Sequence, residues 1–238
     1  ADSGLLSIAK HRGNFYAMGH YGRVLISEDG SDWSEILSLG NSASLWRSSV
    51  THDGELVIVG DNGLVLRYDE EGVRTFHGIG TTNLDLYGIA SNGTKMLAVG
   101  TGGAVYQSFD GATWTAKPKI GTKDLSGITF YDGKFYCVAK DGEILRSGGG
   151  ANWQTMRAGS GDQLNAIRPT SAGLIAVGEA GILLRSNDGV QWTQATGAGT
   201  VDLYDVFEYS GKVFAAGAAG FLTQSTDGLN WTSEPELV

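Results

Sequence analysis

Trp114, Trp153, Trp192 and Trp231 follow one another at intervals of 39, 39 and 39 residues. A fixed period of this length admits only architectures in which one supersecondary unit is repeated and stacked. Trp33 belongs to the same series. The 81 residues separating it from Trp114 leave room for one further unit, whose aromatic is read as Phe76. Two more series keep the phase. Gly22, Gly63, Gly103, Gly142, Gly181 and Gly220 step by 41, 40, 39, 39 and 39, and Leu5, Leu45, Leu86, Leu125, Leu164 and Leu203 recur alongside them. The 238 residues therefore divide into six units, at about 5–44, 45–85, 86–124, 125–163, 164–202 and 203–238, read as one domain without a linker.

Each unit reads as four short strands. In the last they are Leu203–Tyr209, Lys212–Ala216, Phe221–Ser225 and Asn230–Ser233, runs rich in β-formers and separated by Gly, Asn and Asp. No stretch sustains a 3.6-residue apolar period, so almost no helix is expected. Four strands per unit of about 40 residues predict an all-β fold, a six-bladed β-propeller of four-stranded antiparallel blades. One blade cannot bury both faces of its sheet, whereas blades arranged radially can. The second strands, such as Gly54–Gly60 and Leu174–Gly178, are almost continuously apolar, as strands covered on both faces should be. Cys137 aligns with Ala17, Ala98, Ala176 and Ala215, which makes it a small core residue rather than a nucleophile. The chain starts on an innermost strand and ends on an outermost one, so six blades close by blade-on-blade packing alone. A ring of seven lacking a unit, or one completed by a partner chain, is the alternative.

Composition excludes several classes. Aromatic and β-branched residues along the whole length argue against disorder, and a single Cys precludes a disulfide scaffold. No apolar run approaches the ~18 residues of a membrane-spanning helix, so no membrane insertion is expected. A net charge of −9 without a basic block argues against nucleic acid, which needs clustered Lys and Arg to replace phosphate counterions. The four His (His11, His20, His52 and His77) have no metal-ligand spacing, and neither a metal nor a cofactor is expected. The Gly-rich strings between second and third strands recur in every unit as hairpin turns; no helix follows them to supply a phosphate cradle. The chain opens at Ala1 with neither a basic nor an apolar leader region, so a signal peptide is expected to have been removed or never to have existed, and scarce Cys and Lys with abundant Gly, Ser and Thr point to an exported or surface-associated protein.

One motif recurs at the turn between third and fourth strands. Ser27-Glu-Asp29-Gly30-Ser-Asp-Trp33 reads S-x-D-G-x-x-W, and the pattern returns at Ser108/Asp110/Gly111/Trp114, Ser186/Asp188/Gly189/Trp192 and Ser225/Asp227/Gly228/Trp231. In the fourth unit Gly149 replaces the Asp, and the second unit is degenerate at Tyr68-Asp69-Glu-Glu71-Gly72. The carboxylate can accept hydrogen bonds from the backbone N–H groups just after it, and Gly takes a positive φ without Cβ strain. The Trp folds under the turn and covers the outer edge of the blade. On these residues the chain resembles the Asp-box (BNR) repeat family over essentially its whole length. With Gly142-Glu-Ile-Leu-Arg146-Ser147 and Gly181-Ile-Leu-Leu-Arg185-Ser186 it is also similar to the photosystem II assembly factors of the Ycf48-like group. The resemblance implies that Asp29, Asp110, Asp188 and Asp227, with Trp33, Trp114, Trp192 and Trp231, maintain the fold.

The resemblance also covers sialidases, which use three Arg around the substrate carboxylate, a Tyr paired with a Glu, and an Asp. Their first Arg lies in an R-I-P type segment ahead of the first box; here that segment is Leu5–Arg12 and carries no such motif. Ile167-Arg168-Pro169 is read as coincidence. Arg146 and Arg185 occupy a repeated third-strand position shared with Arg67, Gln107 and Gln224, hence blade surface. No catalytic residue is assigned.

Repeats make deviation informative, because a position that varies among units is free for function. In propellers the loops between strands two and three and between strands four and one surround the central channel on one face. The turns at His20-Tyr21, Asp61, Lys140 and Glu179 vary among units, as do the two residues after each marker Leu, among them Trp46-Arg47, Tyr87 and Tyr204-Asp205. His20, Tyr21, Trp46, Arg47, Asp61, Tyr87, Lys140, Glu179, Tyr204 and Asp205 thus form the candidate ligand-binding set. Aromatics ringed by sparse polar groups suit a protein partner or a glycan; the plainer role is to plug the channel mouth. A non-catalytic protein-binding scaffold is the first reading. A carbohydrate- or cell-surface-binding module is the second, and a glycoside hydrolase using an opposed carboxylate pair the third.

Overall fold

The computed structural model describes residues 4–40, 43–50, 54–69, 74–79 and 84–233. His52, Glu71 and Gly72 of the sequence reading lie outside them. Among the described residues twenty-four strands form six four-stranded antiparallel sheets, each built from four consecutive strands in chain order. The fold class is that of a six-bladed β-propeller. Blades 1 to 6 span residues 5–37, 45–78, 86–116, 125–157, 164–194 and 203–233. They fall into two compact units, 1–119 with blades 1 to 3 and 120–238 with blades 4 to 6.

Within each unit the core lies between blades. Leu45 of blade 2 packs among Met18, Val24 and Leu37 of blade 1, and Leu86 and Ile89 of blade 3 pack on Val57, Val59 and Val65 of blade 2. The second unit repeats the scheme. Leu164 and Ile167 lie with Val138 and Ile144, and Leu203 and Val206 with Val177 and Leu183. In blades 2, 3, 5 and 6 the marker Leu is thus the side chain inserted into the blade before it. Cys137 is fully buried beneath this layer, and burial pushes its thiol well above the ordinary range.

The turns between third and fourth strands have the geometry the motif predicts. Asp29 Oδ1 accepts from the N–H groups of Ser31 (2.8 Å) and Asp32 (3.0 Å). Asp110, Asp188 and Asp227 each accept the corresponding pair at 2.7–2.9 Å. Backbone hydrogen bonds hold the Asp29, Asp188 and Asp227 carboxyls below their ordinary range. Burial pushes Asp110 up, but the N–H groups of Thr113 and Ala112 outweigh it and leave the carboxyl at about 2. In blade 4 the Ser147 hydroxyl accepts from Gly150 N at 2.8 Å, and the Trp153 indole N–H donates to Gly150 O at 3.1 Å. Gly189 is required for two reasons: its φ is +68°, and a Cβ there would meet the Tyr136 hydroxyl at 2.2 Å.

Two expectations are corrected. Phe76 does not take the place of the missing Trp. The register pairs Leu66 with Phe76 and Tyr68 with Arg74, so Arg74 holds the Trp position. Phe76 stands where blades 1 and 4 have Glu35 and Thr155, and it is exposed. The tryptophans also do more than cover an outer edge: Trp114 and Trp192 pack against the cores between adjacent blades, and Trp231 lies inside one.

Candidate functional site

The loops between second and third strands are not simple hairpins. Five are three-residue 3-10 turns whose middle residue has left-handed φ, among them Tyr21 at 61° and Asn62 at 56°. Each turn is fastened to the residue preceding its own first strand. His20 N donates to Gly4 O (3.1 Å), Asp61 N to Ser44 O (3.0 Å) and Glu179 N to Gln163 O (2.9 Å). The carbonyl comes so close that a Cβ on Gly60 would lie 2.2 Å from Ser44 O, which explains the Gly ahead of these turns. Blade 4 has Ala139 there and forms no 3-10 turn.

The first strands contribute a second device. In all six blades the register slips just after the marker Leu, which makes Leu6, Trp46, Tyr87, Ser126, Asn165 and Tyr204 the extra residue of a bulge. A bulge turns its extra residue out of the sheet and re-aims the side chain. Because the neighbouring turn is fastened to the start of the same strand, the bulged residue and the variable turn residue become neighbours.

In the first unit this produces a continuous aromatic row. The His20 and Trp46 rings meet edge-on with centroids 6.4 Å apart, and Trp46 and Tyr87 likewise at 5.6 Å. The indole N–H of Trp46 donates to Asp61 Oδ1, while Asp61 Oδ2 accepts from Ser44 N at 2.8 Å. His20 Nδ1 lies 2.9 Å from Ser44 Oγ. Asp85 accepts from Asn62 N at 3.0 Å and lies 3.5 Å from the Tyr87 hydroxyl. His20, Trp46, Asp61 and Tyr87 are half-buried, set by neighbours yet reachable from solvent. A pocket of about 320 Å³ shares Asp61 with the row and is lined by Leu39, Ala43, Asn62, Leu64, Phe76 and His77.

The other predicted residues have separate environments. Tyr21 occupies the left-handed position of its turn. Arg47 reaches back to blade 1, donating to Leu6 O at 3.1 Å. In the second unit Asp205 holds Arg168 of blade 5 through two hydrogen bonds of 3.1 and 3.0 Å, and its charge raises the Arg168 pKa. Arg168 thus ties blade 5 to blade 6. Lys140 pairs with Asp124 at 3.6 Å, Glu179 opens its 3-10 turn, and Tyr204 is 52% exposed. Sequence reasoning missed Ser44, Asp85 and Asn62. Asp85 and Asp202 each precede a marker Leu and each accept from the preceding blade's turn, Asp202 from Ala180 N at 2.9 Å; that repetition was a usable signal.

Among the described residues no three His, Cys, Asp or Glu come together as a metal site.

No family model matches the chain, and no curated protein matches it in sequence. Solved structures do match in fold. Virginiamycin B lyase from Staphylococcus aureus aligns over 100% of this chain and 86% of its own, with a TM-score of 0.87 at 13% identity. YCF48 from Cyanidioschyzon merolae aligns over 98% and 85% with a TM-score of 0.73 at 18% identity, and a YCF48 bound to D1 peptide over 97% and 80% at 0.71 and 18%. The chain is therefore similar in fold both to propellers that are enzymes and to propellers solved with a peptide or protein partner.

Proposed function

We propose that this protein is a non-catalytic binding propeller that recognises a peptide segment of a protein partner through the first unit's aromatic row. The observation that carries the reading is the chain of edge-on contacts His20–Trp46–Tyr87 across three successive blades, with the Trp46 indole held by Asp61. A row of this kind is rigid before any ligand arrives, so little conformational entropy is lost on binding. Aromatic anchors with one polar edge supply much of the affinity at such surfaces. The pocket beside Asp61, with Phe76 and His77 in its wall, suits one anchoring side chain of the bound segment. Lys140, Glu179 and Tyr204 belong to the second unit's loops and are proposed as contacts of that unit's own loop face. The turn geometry around Asp29, Asp110, Asp188 and Asp227 supports placing the repeat among the Asp-box propellers, with these residues in a structural role. The fold likeness to a YCF48 solved with a peptide supports a peptide ligand.

The test is selection from a random peptide library against the purified protein, with a glycan array run in parallel. Selected peptides whose binding is lost in Trp46→Ala and Tyr87→Ala are the expected result. Glycan binding that depends on the same two residues, with no peptide selected, would replace this reading by the carbohydrate one. Turnover of aryl glycosides abolished by one carboxylate substitution would establish an enzyme.

A further inference from the structure

Phe76 stands apart from its counterparts in the other blades. The same fourth-strand position holds Glu35, Ala116, Thr155, Gln194 and Ser233 in blades 1, 3, 4, 5 and 6. Blade 2 has an aromatic there, and it is 49% exposed. In blades 1 and 4 the side chain at this position is tied to the residue just ahead of the third strand. Arg23 donates to Glu35 at 2.7 Å, and the Thr155 hydroxyl donates to Glu143 at 2.7 Å. In blade 2 the two positions are Phe76 and Leu64, so a polar tie gives way to an apolar wall. Leu39 and Leu64 pack on the core between blades 1 and 2, which fixes that wall. Gly78 lies opposite Leu64, and a Cβ there would meet nothing within 4 Å, so the pocket described above stays open at this point.

Asp61 lines the same pocket. Its carboxylate accepts from two neutral donors, the Trp46 indole and Ser44 N. Among the described residues no Lys or Arg pairs with it, whereas Glu35, Glu55, Asp124 and Asp205 each have such a partner. Arg47 donates instead to Leu6 O and Trp46 O. A carboxylate offers about four lone-pair positions, so Asp61 keeps acceptor capacity and an uncompensated charge beside an apolar wall. We infer that this pocket receives a basic side chain, Arg or Lys, of the bound segment, and that Asp61 selects for it. The inference rests on the peptide-binding reading and adds the chemistry of the partner. At about 320 Å³ the pocket is near the lower end of the ~300–1,000 Å³ of ligand sites, which suits one long side chain. The aliphatic stem of Arg or Lys packs along Leu39 and Leu64 while its charged head stays at the edge. The exposed Phe76 ring supplies a cation–π partner, and a charged donor makes a stronger hydrogen bond to Asp61 than a neutral one. An acidic side chain would be repelled by Asp61, and an apolar one would cover its charge without compensating it.

The experiment selects binders to the full chain from two random peptide libraries, one of all residues and one lacking Lys and Arg. Peptides that lose binding to Trp46→Ala are carried forward. Those from the complete library should contain Arg or Lys. Replacing that residue by citrulline or norleucine should weaken binding to the parent at least tenfold, and to Asp61→Asn much less. Position 76 gives an independent readout, because its side chain is exposed and the equivalent residue of blade 1 is Glu35. Phe76→Lys should weaken the basic peptides at least tenfold and Phe76→Glu should bind them better than Phe76→Ala, with Tm little changed in all three. Trp46-dependent peptides from the second library that bind as tightly as those from the first overturn the inference and leave the peptide-binding reading standing. So does an equal loss on citrulline or norleucine replacement in the parent and Asp61→Asn, or parental affinity in Phe76→Lys. Absence of any Trp46-dependent peptide from both libraries overturns the peptide-binding reading, and the basic side chain with it.

Discussion

The two units build their loop faces from the same parts and use them differently. Each has a bulge after every marker Leu and a turn fastened beside it. In blades 2 and 3 the bulged residue is an aromatic, and Trp46 and Tyr87 join His20 in a row that remains accessible. In blades 4 and 5 it is short and polar and is consumed by packing: the Ser126 hydroxyl donates to Leu164 O, and Asn165 Nδ2 donates to Leu203 O at 2.8 Å. Arg168 and Asp205 reinforce the second of these seams. The same backbone irregularity can therefore tie blades together or present a recognition side chain. What decides is whether the side chain is short enough to reach the next strand's carbonyl.

Breaking the comparison at its aromatic end should have the largest effect. Trp46→Ala should weaken the selected peptide by about 30-fold or more, the roughly 2 kcal/mol of an interface hot spot, with a much smaller change in Tm; isothermal titration with parallel thermal melts checks both. The opposite pattern is expected at the seam. Asp205→Ala leaves Arg168 without its charge partner and should cost about 1–2 kcal/mol, less than a fully buried pair because both side chains are about a third exposed. Its peptide affinity should be unchanged, as read from urea unfolding and titration of the same sample. Asn165→Ala should lose about 1 kcal/mol of stability, the net worth of one hydrogen bond, again without effect on binding. If Asn165→Ala weakened peptide binding as strongly as Trp46→Ala, the division between the units would fail.

The turns between third and fourth strands sharpen the contrast further. Asp110 titrates near 2 in the folded chain against an ordinary 3.8. A carboxyl depressed in this way stabilises above the unfolded value, and its contribution is lost as pH falls from about 4 toward 2. The Tm difference between the parent and Asp110→Ala should therefore be full at pH 5 and shrink across that range. The smallest effect is expected at Gly149, whose φ is not in the left-handed region. Gly149→Asp should restore the missing carboxylate and raise Tm by a degree or two at pH 7, with the gain disappearing in acid.

Much of the fold was legible because the period is redundant. The Trp, Gly and Leu series each report the same unit, and the Asp-Gly turn is a local interaction whose partners lie within three residues. Phe76 was misplaced for the converse reason. In blade 2 the turn motif is degenerate, and only strand pairing fixes which residue stands opposite Leu66. The candidate site was half legible. Internal deviation singled out His20, Trp46, Asp61 and Tyr87, which do come together, but gave equal weight to Arg47 and Asp205, whose partners lie 41 and 37 residues away in neighbouring blades.

The sequence alone determined the number of blades, the strands within each, and the turns whose hydrogen bonds close between near neighbours, since short-range spacing encodes short-range contacts. Tertiary structure decided which variable side chains stay available and which are spent holding one blade to the next. Burial depends on what is packed opposite, and a residue's own identity carries no record of that.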